Sequence, residues 1–258
     1  MADQLGFAVD ATENLFSVDL TTASATLVGN TGQFLQGLAV SPQGSLFATD
    51  NLSNLFSISK TTGAATLIGN TGILNNGSPD IEGLTFRGST LIGTDFSNLG
   101  GPTTVYAINT TTAAATAITS FSQGPVRAMA LVNPNTIDVA SDSPVSQSLV
   151  QVNLLNGTNT SLGQLPSMGA ALIAALNFGS DGTLYALDPF GNEFIIASNG
   201  AGTLVGNTGG QDWLDLTMAS TTLPGAVPEP SSMALLLIAA LGLFSVRAWQ
   251  LSGVSARS

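Results

Sequence analysis

Leu15 to Gly32 reads LFSVDLTTASATLVGNTG, and Leu55 to Gly72 reads LFSISKTTGAATLIGNTG. Twelve of these eighteen positions are identical at a shift of 40 residues. Each copy holds two runs with alternating apolar positions around a Thr-Thr turn, the pattern of a β-hairpin. Looser copies start at Val105 (VYAINTTTAAATAIT), Leu149 (LVQVNLLNGTNTSLG) and Phe194 (FIIASNGAGTLVGN). A repeat of roughly 40–50 residues lies in the range of propeller blades, where one unit is a four-stranded sheet.

Working outward from the hairpin, two further strands precede each copy. The first, strand a, reads GLAV from Gly37, GLTF from Gly83, AMAL from Ala128, AALN from Ala174 and LDLTM from Leu214. The second, strand b, runs to Asp10, Asp50, Asp95, Asp142 and Asp188. The hairpin supplies strands c and d. The chain begins on strand b of one blade and reaches an unmatched strand a at Leu214–Ala219. The pattern therefore predicts an all-β, five-bladed β-propeller of four-stranded blades, closed when Leu214–Ala219 pairs with the strand containing Phe7–Asp10. Closure leaves few exposed strand edges. An open β-solenoid or a stacked sandwich is the alternative architecture, and further strands encoded upstream would make the ring six-bladed.

Composition narrows the chemistry. The chain of 258 residues has no Cys and no His, which excludes cysteine nucleophiles, disulfides, imidazole metal sites and His-based acid–base catalysis. Five basic side chains against sixteen acidic ones argue against a nucleic-acid partner, which needs Lys and Arg on phosphates. The charge is split along the chain. Residues 1–225 carry fifteen acidic and three basic groups, whereas residues 226–258 hold Glu229 against Arg247 and Arg257.

In a propeller the d–a and b–c connections share one face and the c–d turns the other. The Asp at each strand b end, notably Asp50, Asp95, Asp142 and Asp188, should therefore rim one face. Such carboxylates cap the following turn, or they form an oxygen-lined rim for Ca²⁺ or another hard cation. No contiguous calcium-loop spacing occurs. Two segments exceed the repeat's minimum on that face, Ile73–Asp80 and Phe96–Thr104, and Asp80 and Glu82 mark a candidate ligand loop. Gln36, Glu82, Arg127, Ala174 and Leu214 are equivalent positions at the start of strand a, near the axis, where Glu82 and Arg127 on neighbouring blades are placed to pair. Phe16, Phe56, Phe86, Tyr106 and Phe178 recur at equivalent sites and read as inter-blade core. Thr21-Thr22, Thr61-Thr62 and Thr110-Thr111-Thr112 crowd the opposite face. No residue pattern assigns a catalytic group or a cofactor.

The tail is of another kind. From Ala226 it reads AVPEPSSMALLLIAALGLFSVRAWQ. Met233–Val246 is fourteen residues without a charge, about 21 Å as a helix against the ~30 Å hydrocarbon core. Ser231, Ser232, Ala248 and Trp249 extend it, with Arg247 snorkelling to the headgroups. Pro228-Glu229-Pro230, an apolar span and Arg247 follow in the order of the PEP-CTERM sorting signal of Gram-negative bacteria, also known as the ice-binding protein C-terminal domain, which this segment resembles. The resemblance implies that Pro228, Glu229 and Pro230 are read by an exosortase, a membrane protease-transpeptidase that removes the helix and releases or transfers the exported body. Arg247 stands alone where the family has a basic cluster. The family also carries an N-terminal signal peptide, which the first thirty residues do not show, so the expectation is a start codon upstream of Met1, the alternative being a cytoplasmic form that inserts by its tail.

The sequence divides into a repeat body (1–220), a linker with the Pro-Glu-Pro motif (221–230), a sorting helix (231–249) and a polar tail (250–258). The expected function is an exported cell-surface or extracellular-matrix binding or structural module. It would be anchored transiently in the inner membrane and have extracellular polysaccharide as a candidate partner. The alternative is a carboxylate-dependent lyase or glycosidase acting on exopolysaccharide.

Overall fold

The structure, a computed structural model, describes residues 4–73, 81–96, 101–143, 146–167, 172–209 and 212–219. The linker, the sorting helix with Pro228, Glu229, Pro230 and Arg247, and the polar tail lie outside these residues, as does Asp80. Twenty strands among the described residues form five antiparallel four-stranded sheets. Blade 1 begins with β1 (Leu5–Asp10), β2 (Asn14–Asp19) and β3 (Ser24–Asn30). Blade 2 is β4 (Leu35–Val40), β5 (Leu46–Asp50), β6 (Asn54–Ile58) and β7 (Ala65–Asn70). Blade 3 is β8 (Ile81–Arg87), β9 (Thr90–Asp95), β10 (Thr103–Ile108) and β11 (Ala115–Phe121). Blade 4 is β12 (Val126–Asn133), β13 (Thr136–Ser143), β14 (Ser146–Asn153) and β15 (Asn159–Gln164). Blade 5 is β16 (Ala175–Phe178), β17 (Leu184–Leu187), β18 (Asn192–Ile196) and β19 (Gly202–Asn207). The last strand, β20 (Trp213–Met218), returns to blade 1 in the order β20-β1-β2-β3, with Phe7 opposite Thr217 and Ala8 opposite Leu216. The ring closes by the strand exchange that the repeat predicts.

The innermost strands β20, β4, β8, β12 and β16 pack side by side around the axis. Their second core position is small in four blades: Gly37, Gly83, Ala128 and Ala175. A Cβ on Gly37 would sit 2.5 Å from both Leu84 Cδ1 and Thr49 Oγ1, so the neighbouring blade occupies the space a side chain would take. Blade 1 has Asp215 there instead. This buried carboxylate accepts the N–H of Leu38 on β4 at 2.6 Å and that of Leu216 at 2.7 Å, stapling blade 1 to blade 2. Burial, joined by the charge of Glu82, pushes its pKa well above the ordinary carboxylate range.

Between blades the core is made of repeat-equivalent side chains. Phe16, Phe56 and Phe86 are buried in three successive clusters, while Tyr106 is half-buried against the cluster of Phe86 and Phe178 against that of Leu176 and Phe194. Every outer c–d pair carries a β-bulge at one position, after Leu15, Leu55, Val105, Leu149 and Glu193 on strand c. The bulge turns strand d toward the c–d turn of the next blade. A Cβ on Gly29 would lie 2.1 Å from the Thr62 carbonyl oxygen, one on Gly163 1.8 Å from that of Asn199, and one on Gly206 2.9 Å from Ala23 Cβ. The last contact joins blade 5 to blade 1. Blade 3 has Thr119 at the equivalent point, but in blades 1, 2, 4 and 5 strand d carries Gly there because the next blade's turn occupies the groove. The Asn after it ties the blade together: Asn70 Nδ2 donates to Leu52 O and Asn54 Oδ1, both at 2.9 Å, and Asn207 does the same to Phe190 O and Asn192 Oδ1.

Candidate functional site at the axial mouth

Because neighbouring strands are antiparallel, the start of each innermost strand, the end of the next strand and the connections into them share one face. The five strand b aspartates are on it, and three of them are turn acceptors. Asp10, Asp50 and Asp188 each accept the N–H two residues on and the N–H of the Asn four residues on through Oδ1, at 2.8–3.0 Å. Oδ2 accepts that Asn's Nδ2, at 2.8 Å for Asp50 and Asp188. The repeated unit is therefore D-x-x-x-N. The residue before the Asn takes the left-handed conformation: Glu13 (φ 66°), Ser53 (φ 57°) and Gly191 (φ 83°). The central residue is exposed, Leu52 at 56% and Phe190 at 58%.

Blades 3 and 4 break this pattern. Asp95 accepts the N–H of Thr104 at 2.7 Å and the Tyr106 hydroxyl at 3.4 Å; burial raises the pKa of Asp95, and burial first, then the charge of Asp95, raise that of Tyr106. Asp142 turns inward to Arg127. Its Oδ2 accepts Arg127 Nε at 2.7 Å, and its Oδ1 accepts Gln147 Nε2 at 2.9 Å. Gln147 is buried and also clasps the backbone of Ile173, donating to its oxygen at 2.9 Å and accepting its N–H at 2.7 Å. Among the described residues, no three acidic side chains gather in a way that would hold a metal. The structure places Asp50, Asp95, Asp142 and Asp188 on separate blades of one face, each committed to its own hydrogen bonds.

At the centre of that face is a cavity of about 410 Å³. The five strand a positions Gln36, Glu82, Arg127, Ala174 and Leu214 all line it, together with Leu172, Pro189, Phe190, Asp212 and Trp213. Arg127 is fixed on three sides. Its Nη1 lies 3.7 Å from Glu82 Oε2, its Nε bonds Asp142, and its guanidinium stacks 4.9 Å above the Phe96 ring, with 38% of the side chain still exposed. Gln36 Nε2 reaches Glu82 Oε1 at 3.4 Å, while Gln36 Oε1 is buried without a hydrogen-bond partner among the described residues. Trp213 is buried, edge-on to Phe16 at 4.9 Å between centroids, and its Nε1 donates to Thr208 Oγ1 at 2.8 Å. Glu82 therefore joins the axial network, with Asp80 outside the described residues. The Asp142–Gln147–Ile173 clasp escaped sequence reading because it links residues far apart in the chain. Its one visible sign was the loss of D-x-x-x-N in blade 4, where Ser146 stands four residues after Asp142 and Gln147 five.

No family model matches the chain, and no curated protein matches it. Solved structures do. A chain in the crystal structure of a nidogen/laminin complex superposes with a TM-score of 0.53 at 13% identity, covering 84% of this chain and 81% of that one. A structural genomics protein of unknown function from Bacteroides thetaiotaomicron VPI-5482 has a TM-score of 0.49 at 15% identity, and the match spans about half of that chain, 49%. At 13% identity the likeness to the nidogen/laminin chain is one of fold.

Proposed function

We propose that this chain is an exported cell-surface or extracellular-matrix binding module whose ligand site is the axial mouth. The observation that carries the reading is the cavity itself. Three successive blades contribute Gln36, Glu82 and Arg127 to one edge of it, and the Asp142–Gln147–Ile173 clasp holds Arg127 in a fixed pose. Preorganised polar groups at the rim of a concave apolar site favour binding, since little side-chain entropy is lost on contact. Extracellular polysaccharide is the proposed partner. The nidogen/laminin likeness supports a propeller of this size serving as a binding scaffold.

The tail completes the proposal. Pro228-Glu229-Pro230, the apolar span and Arg247 fit an exosortase substrate held in the inner membrane and then released or transferred to the surface. Expressed with a signal peptide in a host containing an exosortase, the extracellular protein should lack the mass of the segment beyond the motif. A mature extracellular form that keeps Arg257 would contradict this reading. The binding claim is tested by retention of the full chain, in mild detergent, on isolated matrix polysaccharide. Chain cleavage of the polysaccharide would instead favour the lyase or glycosidase alternative, with Glu82 and Asp212 as the carboxylates at the cavity.

A further inference from the structure

The axial cavity is chemically divided. One edge, Gln36, Glu82 and Arg127, carries hydrogen-bonding groups from β4, β8 and β12. The facing wall is mostly apolar, with Phe190 and Leu214 at its surface, buried Ala174 and Trp213 behind and Asp212 beside them. Phe190 is set by its own turn: Asp188 Oδ1 accepts its N–H at 2.9 Å, Asn207 Nδ2 donates to its carbonyl at 3.0 Å, and its ring is left 58% exposed. An aromatic face opposite a row of polar groups suits a ligand with one apolar and one hydroxyl-bearing side.

Charge selects further. The guanidinium of Arg127 is already shared between Glu82 and Asp142, and Asp212 adds another carboxylate to the lining. The cavity has no surplus positive charge to hold an anion, and a carboxylated or sulfated ligand would be repelled by its lining. Gln36 is only half-buried and holds Glu82 Oε1 through its Nε2 at 3.4 Å, so its amide is part of the polar edge.

Resting on the binding-module reading above, we propose that the axial cavity takes one ring of a neutral polysaccharide. The ring's C–H face lies on Phe190 and Leu214. Its hydroxyls bridge Glu82, Gln36 and the exposed part of the Arg127 guanidinium, where a carboxylate and a guanidinium offer paired acceptors and donors to adjacent hydroxyls. A cavity of about 410 Å³ falls within the size range of small-ligand sites.

The test is isothermal titration of the full chain, in mild detergent, with hexamers of glucose, xylose, mannose and galactose and with hexamers of galacturonate and guluronate. Saturable binding of at least one neutral series is expected. Phe190→Ala should weaken it about tenfold, and Glu82→Gln should weaken it as well. Leu52→Ala, the equivalent turn tip on blade 2, should bind like the parent. Phe190 is exposed, so its variant should melt like the parent, and the loss is then read as lost contact. Binding only of the uronates, or neutral binding indifferent to Phe190→Ala, overturns the inference. Retention on intact matrix without binding of any neutral hexamer overturns the inference and leaves the binding-module reading standing. Failure of both overturns both.

Discussion

Glu193 stands where the other blades have Leu15, Leu55, Val105 and Leu149, at the bulge of strand c. It is fully buried, and neither carboxylate oxygen has a hydrogen-bond partner among the described residues. Burial first, and then the charge of Asp19, push its pKa up to about 8 from 4.5. Between those two pH values the folded chain holds a proton that the unfolded chain has released, so stability must fall as pH rises. The slope is about 1.4 kcal/mol per pH unit, on the order of 5 kcal/mol across the whole interval from 4.5 to about 8. Below the lower value both states are protonated and the contribution is constant. Above the upper value both are ionised and the penalty is complete. Asp95, Asp138 and Asp215, each raised by burial, tilt the profile the same way, whereas Asp19, lowered by hydrogen bonds from Thr21, tilts it the other way. The parent alone therefore cannot isolate Glu193, but its difference from Glu193→Leu can. Urea unfolding at intervals from pH 4.5 to 8.5 should show the variant's advantage growing steadily with pH and levelling off above about 8. Two profiles that run parallel across that range would refute the reasoning.

Three other outcomes follow from the geometry. Deleting 213–220 should lower the melting temperature far more than deleting 226–258, because β1 then loses its β20 partner and its backbone groups are left unpaired. Gly29→Val should prevent folding or cost several kcal/mol, since the new Cβ meets the Thr62 carbonyl at 2.1 Å, whereas Gly32→Ala meets nothing within 4 Å and should cost only about 1 kcal/mol for its left-handed backbone; comparable melting temperatures for the two would remove the inter-blade joint. CaCl₂ and NaCl at matched ionic strength should raise the melting temperature equally, because Asp10, Asp50 and Asp188 spend their oxygens on turn donors; an excess for Ca²⁺ abolished by Asp50→Asn with Asp95→Asn would instead support a cation rim.

The ring was legible because it is written in repeats. Once Leu15–Gly32 and Leu55–Gly72 align, the strand order and the unpaired strand at Leu214 follow, and so does the facing of the strand b aspartates. The pairing of Glu82 with Arg127 was legible too, as both hold the same position on adjacent blades. What repeats hide is what each conserved-looking letter touches across a blade boundary. The Gly of the Gly-Asn pair is explained only by Thr62 in its groove, and the Asn of D-x-x-x-N only by its Nδ2 on the Asp. Glu193 was visible as a departure in principle, but an alignment begun at Phe194 steps over it. The clasp on Arg127 joins β12, β13, β14 and the connection at Ile173, and only folding brings those together.

The claim that matters most is that the axial mouth, and not the Thr-rich opposite face, is where this ring meets its ligand. Hydrogen–deuterium exchange of the full chain, with and without matrix polysaccharide, tests it directly. Protection is predicted in 34–37, 126–128, 188–191 and 212–214, with the turns at Thr21-Thr22, Thr61-Thr62 and Thr111-Thr112 unchanged. Protection confined to those Thr turns, with none at the mouth, would contradict the account.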